Sequence, residues 1–395
     1  MPVRNNDQAA IYACFLGYIV QAVVNNFIPL LFVRFQQELS IPLSKITFLI
    51  TLNFLVQLLV DAFSAGFVDK IGYRVSIVAA HVFACAGLLL LPVLSAVLPD
   101  PFIGLLISVM CYAVGGGLIE VLISPIMEAS PSENKATAMS LLHSFYCWGQ
   151  MGVVLLSTLF FLVFGISKWR ILSVIWAVLP LLNAFVFTQV PIHALLEEGE
   201  EGLSFGKLLS MRSFQVLMVM MLCAGASEMV ISQWASTFAE EGLGVSKTVG
   251  DLLGPMCFAG LMGTSRALYA KKGESMSLTG FMLGSAVLCM CCYLGASLLN
   301  SPVLNLLACA LTGFSVGIFW PGTFSIASKR IPAGGTLMFA LFAFAGDIGC
   351  SFGPTLSGMI SSFSGSMKTG ILGCIGFPVV MALGILYMRK GESDE

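Results

Sequence analysis

The sequence predicts an all-α membrane protein of twelve transmembrane helices in two pseudo-symmetric six-helix halves. Three observations carry that expectation: the composition, the apolar runs, and the basic residues between the runs. Of 395 residues, 57% are hydrophobic and only 10% charged, with a mean hydropathy of +0.94. A soluble domain carries about 25% charged residues, so this chain cannot clothe a globule with a water-facing surface.

A bilayer core of about 30 Å takes about 20 helical residues. Twelve runs of that size follow one another at 8–33, 45–68, 75–96, 102–127, 136–164, 169–190, 214–239, 249–270, 277–299, 302–328, 336–363 and 369–388. The first has no small-residue cleavage site and carries Gln21, Asn25 and Asn26, which marks it as a retained span rather than a signal peptide. Of the 19 Lys and Arg, thirteen fall on one side of this alternation, among them Lys70, Arg74, Lys135, Lys271, Lys272 and Arg330. The positive-inside rule makes that side cytoplasmic and puts both termini on it, in a cell inner or plasma membrane.

Between spans six and seven, PIHALLEEGEEGLSFGKLLS is the longest polar connection. It divides the chain into an N-terminal half (1–190), a cytoplasmic linker (191–211) and a C-terminal half (212–395). At an offset of about 200 residues the halves resemble each other weakly, Gly152 answering Gly353 and Asn26 answering Glu228. Related halves with a solute site between them are a common plan for secondary transporters.

Several function classes fall away. The net charge is −2 and the basic residues are scattered, so no basic face for nucleic acid exists. All twelve cysteines lie in apolar stretches, which argues packing rather than disulfides, and Cys289, Cys291 and Cys292 read as small packing residues rather than a metal site. No cofactor or metal is expected. HExxH and Gly-Lys-Ser/Thr loops are missing, which argues against an enzyme.

Glu120 is the centre of the functional reading. It sits in GGGLIEVLISPIM, with no basic residue between Arg74 and Lys135. A carboxylate at membrane depth costs at least ~2.5 kcal/mol, so such residues face a bundle interior or a water-filled cavity and take part in transport. Glu120 therefore reads as a proton-binding group. A turn at Pro131 and Ser132 puts Glu120 and His143 at the same depth, each roughly 17 Å from the turn along antiparallel helices, so His143 can hydrogen-bond Glu120 if their faces meet. Glu228 and Asp347 lie mid-span at the same cost and complete the candidate coupling set; an ion pair with Arg266, or a polar contact beside Gly346 and Gly349, is an alternative role for Asp347. Asp61 reads as structural or gating.

Trp148, Trp234 and Trp320 fall inside spans rather than at interfaces, where tryptophan usually anchors. An indole face can stack on a sugar's C–H face while amides bond its hydroxyls. Gln21, Asn25, Asn53, Gln57, Gln150 and Gln233 supply such amides. Trp320 precedes Pro321, which predicts a bent tenth span. Gly115, Gly116 and Gly117, with Gly346, Gly349 and Gly353, predict close helix approach.

After span two the chain reads AGFVDKIGYR, which resembles the signature loop of the major facilitator superfamily, with Asp69, Lys70, Gly72 and Arg74 at the acidic, basic, glycine and basic positions. The resemblance implies that the loop gates conformational change. In the second half MGTSRALYAKK carries Arg266 where the acid would stand. GLIEVLISP resembles the fourth-span pattern of the fucose:proton symporter family through Glu120, Ser124 and Pro125. NNFIP resembles that family's first-span motif with Asn26 in place of an aspartate, and LLHSFYCWG has His143 in place of a glutamine. The resemblance implies a monomeric, proton-coupled, alternating-access transporter of a small polar solute, a sugar above all. An efflux or uncoupled transporter of an amphipathic or anionic solute is the alternative, and a membrane enzyme or receptor the alternative from another class.

Overall fold

With no water in the bilayer core to meet backbone N–H and C=O groups, a spanning chain must satisfy them within helices. In the computed structural model, described over residues 5–193, 195, 202–273 and 275–393, every regular element is helical. The helices are α1 (Asn5–Asn26), α2 (Phe32–Leu39), α3 (Leu43–Ile71), α4 (Tyr73–Val97), α5 (Pro101–Ala129), α6 (Lys135–Phe164), α7 (Trp169–Gln189), α8 (Phe205–Ser210), α9 (Arg212–Ser232), α10 (Ala235–Leu243), α11 (Lys247–Lys272), α12 (Leu278–Leu298), α13 (Pro302–Val316), α14 (Phe319–Arg330), α15 (Gly335–Ser364), α16 (Met367–Gly373) and α17 (Gly376–Ser393), with short 3-10 turns between some of them.

Among the described residues, ten continuous or interrupted helices are long and apolar enough to cross a membrane. The remaining two expected spans are α3 and α11, helices of 29 and 26 residues. Large apolar side chains lie open on the outside, Leu162, Val163 and Phe363 at 76%, 73% and 88% exposure, as lipid-facing residues must.

Four spans are interrupted. Span one breaks after Asn26, span seven at Gln233 and Trp234, span ten at Gly317 and Ile318, and span twelve between α16 and α17. The expected bend beside Pro321 thus lies one turn before it. Backbone contacts group the chain into two units, Met1–Ser132 with Trp148–Glu200, and Glu133–Cys147 with Glu201–Glu395. The start of α6 counts with the second unit although it precedes the linker.

In the first unit α5 packs along α3 and α4. Its three glycines explain how. A Cβ at Gly115 would fall 2.5 Å from the Ala80 carbonyl of α4, at Gly116 3.0 Å from Val24 of α1, and at Gly117 3.0 Å from the Gln57 backbone of α3. Successive residues point about 100° apart on a helix, so three consecutive glycines admit three neighbours. His81, fully buried on α4, joins α7: its Nδ1 lies 2.8 Å from the Ile77 carbonyl and its Nε2 2.8 Å from Asn183 Nδ2. A carbonyl only accepts, so Nδ1 carries the proton and Nε2 accepts from Asn183.

Outside the spans, Glu38 on α2 gathers Arg34 Nε at 2.5 Å, the Trp169 indole at 3.1 Å and Arg170. Burial alone would raise its pKa, but the Arg170 and Trp169 hydrogen bonds, the Arg170 charge and the Arg34 hydrogen bond outweigh it and hold the carboxyl below its ordinary value of 4.5.

In the second unit α9 runs along α15 on bare backbone. A Cβ at Gly225 would lie 2.2 Å from the Gly346 carbonyl, at Gly349 2.0 Å from the Leu222 carbonyl, and at Gly353 2.8 Å from Ala226 Cα.

Prolines create a further demand. A proline inside a helix has no N–H for the carbonyl four residues earlier. Pro92 frees the Leu88 carbonyl, which accepts from the Ser173 hydroxyl of α7 at 2.7 Å. Pro321 frees the Gly317 carbonyl, which accepts from Arg266 Nε of α11 at 2.7 Å.

Candidate functional site

Polar residues of α1, α3 and α5 meet in the first unit. Gln21 Nε2 donates to the Glu120 carboxylate at 2.5 Å. One turn further along α1, Asn25 Oδ1 accepts from both Asn53 Nδ2 at 3.0 Å and Gln57 Nε2 at 2.8 Å. The Tyr18 hydroxyl and Ser124 hydroxyl bond at 2.9 Å, so the serine and the acid of the span-four motif both face α1. A hydrogen bond to a charged acceptor contributes about 1.5–3 kcal/mol, comparable with the insertion cost of the acid itself. Asn26 turns away, donating to the Ala22 carbonyl of its own helix at 2.9 Å. Trp148 is half exposed, at 52%, and Gln150 is half-buried, both on the later part of α6.

The second unit collects different chemistry. His143, buried at the start of α6, has its ring centroid 5.8 Å from that of Phe324, and its carbonyl accepts from Arg266 Nη1 at 2.9 Å. The same Nη1 lies 3.0 Å from Cys147 Sγ. Arg266 is 3% exposed; it lies inside the bundle rather than at an exposed turn. Glu228 on α9 is half-buried and within electrostatic range of Arg266. Trp320 is 9% exposed, with Cη2 filling the space where Gly346 has no Cβ. Asp347 follows on α15, half-buried. Trp234 stands at the break in span seven with its indole N–H buried and unbonded, beside an exposed Gln233 whose amide donates to the Val230 carbonyl at 3.2 Å.

At the α3–α4 turn, Gly72 has φ +92° and ψ 149° and joins two helices in one residue, a conformation that a Cβ would strain. Arg74 donates to the last carbonyls of the α7 region, Phe187 at 2.8 Å and Val190 at 2.9 Å, which α-helix geometry leaves unpaired. Lys70 is exposed; the Asp69 side chain lies outside the described residues.

A family model described as "Major Facilitator Superfamily" matches residues 13–354. The chain belongs to the major facilitator superfamily. This superfamily transporter is no enzyme; it is a multi-pass secondary transporter of a small-molecule solute. Its structure is similar to that of the E. coli fucose:proton symporter FucP, with a TM-score of 0.81 at 16% identity over 96% of this chain and 98% of that chain. The proton:xylose symporter XylE (TM-score 0.76, 14% identity, 97% and 95% covered) and the human organic anion transporter MFSD10 (0.76, 13%, 97% and 100%) share the fold. At these identities the likeness concerns fold alone. No curated protein sequence matches the chain.

Sequence reasoning named every acid and amide in the first cluster but not that Gln21 is the partner of Glu120. It also missed Ser173, Asn183 and Cys147. For Ser173 a signal existed, since Pro92 announces a freed carbonyl at Leu88.

Proposed function

We propose that this transporter moves a small polar solute, a sugar above all, by proton-coupled alternating access, with Glu120 as the principal proton-binding group. The observation carrying this reading is the Gln21–Glu120 hydrogen bond of 2.5 Å beside the Asn25–Asn53–Gln57 amides, an ionisable group adjoining side chains suited to hydroxyls. That two similar folds carry fucose and xylose with protons supports it. His143, Glu228 and Asp347 are secondary candidates for coupling, and Asp69, Lys70, Gly72, Arg74 and Arg266 for gating. The two halves are the moving bodies, joined by the 191–211 linker, and both termini are cytoplasmic in the plasma membrane.

A coupling acid must load a proton on one side and release it on the other, so its charge biases the conformational equilibrium. Glutamine keeps the shape and hydrogen bonding of the loaded acid but holds no releasable proton. Glu120→Gln should therefore retain solute exchange in counterflow and lose uptake driven by an imposed pH gradient, measured in the same vesicles. Accumulation by the variant under a pH gradient alone would sink the assignment.

A further inference from the structure

Among the described residues Arg266 is the only buried lysine or arginine. Its bonded acceptors are the carbonyls of Gly317 and His143 and the sulfur of Cys147, at 2.7, 2.9 and 3.0 Å. They fix the guanidinium plane, spending Nε and Nη1, and none carries a negative charge to balance it. No carboxylate lies within 4 Å among the described residues, and no hydrogen bond from Nη2 is found there. Glu228 lies farther off, half-buried, and its carboxylate has no hydrogen-bond partner among the described residues. The α11–α13 contact leaves little slack around the guanidinium, since a Cβ at Gly313 would fall 2.4 Å from the Phe258 carbonyl and at Gly317 2.8 Å from the Met262 carbonyl.

A desolvated cation with no carboxylate in contact is costly, and more so in a membrane. Meeting the Gly317 carbonyl does not require it, because the Ser173 hydroxyl does that task for Leu88. The charge needs a second reason.

We propose that Arg266 and Glu228 are the two poles of a solute subsite, and that the transported solute is a hydroxylated carboxylate such as a sugar acid. The solute carboxylate accepts from the free Nη2 edge of Arg266. A solute hydroxyl donates to Glu228. Arg266, held by Gly317, His143 and Cys147, is oriented before the solute arrives, so little ordering is left to do on binding. The negative charge of Glu228 repels the solute carboxylate and competes for Arg266 in the empty site. This inference rests on the transporter reading above and narrows its solute class.

The test is thermal stabilisation of the purified full chain by matched pairs: D-glucuronate with D-glucose, D-gluconate with D-glucitol, D-galacturonate with D-galactose. A ligand that binds the folded state raises apparent stability by mass action. At least one carboxylate should raise Tm while its neutral partner does not. Glu228→Gln should lower the concentration needed by about ten-fold, by removing the competing charge. Arg266→Gln should abolish the shift and Arg266→Lys retain part of it. The two substitutions thus act in opposite directions, which a purely structural pair would not do, and Glu228→Gln decides the matter should Arg266→Gln fail to fold. A silent set of carboxylates, neutral partners that work equally well, or a weaker shift in Glu228→Gln each overturns the proposal. Vesicle uptake separates it from the broader reading. A neutral sugar accumulated by a pH gradient keeps proton-coupled transport and removes the anion subsite; a carboxylate that binds through Arg266 without such accumulation does the reverse.

Discussion

Pro92 in α4 and Pro321 in α14 create the same defect, a carbonyl with no helical N–H to meet it, and the two units repair it with different chemistry. The first uses the Ser173 hydroxyl, the second the Arg266 guanidinium. A hydroxyl is neutral, carries little side-chain entropy and loses little on leaving water. A guanidinium carries a charge whose desolvation exceeds what one carbonyl returns. The difference separates a repair from a repair that also holds a charge in place. The same unevenness runs through the acids: Glu120 has an amide partner at 2.5 Å, while Glu228 has no hydrogen-bond partner among the described residues.

The glycines extend the comparison and carry the largest expected effect. Gly152 and Gly353 answer each other in sequence, yet a Cβ at Gly353 would meet Ala226 Cα at 2.8 Å while one at Gly152 would meet nothing within 4 Å. Gly353→Ala should destabilise by about 2–3 kcal/mol through overpacking against backbone. Gly152→Ala should be neutral or stabilise by up to about 1 kcal/mol through helix propensity. Thermal unfolding of the two variants gives the answer, and equal losses would mean the halves pack alike.

Next comes the Arg266 repair. Pro321→Ala supplies an N–H for Gly317, so the loss caused by Arg266→Met should shrink in that background, with a coupling of about 2 kcal/mol. The parallel cycle of Ser173→Ala with Pro92→Ala should couple more weakly, at about 1 kcal/mol for a neutral hydrogen bond. Equal coupling energies would break the distinction between the two repairs.

The smallest effect belongs to Glu38. Its carboxyl is held below the ordinary value of 4.5, so the stability it contributes is present above about pH 4.5 and is lost as pH falls through its lower folded-state value. Glu38→Gln should remove that part of the acid sensitivity, on the order of 1 kcal/mol for a partly exposed ion-pair network. The Tm gap between parent and variant seen at pH 7 should therefore narrow as pH is lowered below about 4.5, and close only below the folded-state value of Glu38. A gap unchanged by pH would assign the network no electrostatic role.

The membrane class, the number of spans and their limits within a few residues were legible in the sequence, because twenty apolar residues in lipid can only be a helix and charged connections mark where it ends. Glu120 was legible for the same reason, an ionisable group being conspicuous in an apolar run. So was Gly72, as the glycine of a short turn. Which side chains meet was not legible. A helix apolar all round gives no phase for its rotation, so nothing in the sequence of α5 told Gln21 from Asn25 as the partner of Glu120. For His143, depth along the helix was readable from the turn, but only packing put its carbonyl on Arg266 and its ring beside Phe324. The breaks at Gln233 and Gly317, and the turning of Arg266 toward a carbonyl that Pro321 had freed, were decided by the tertiary structure, since a broken helix is stable in lipid only where a neighbouring helix takes up the hydrogen bonds it releases.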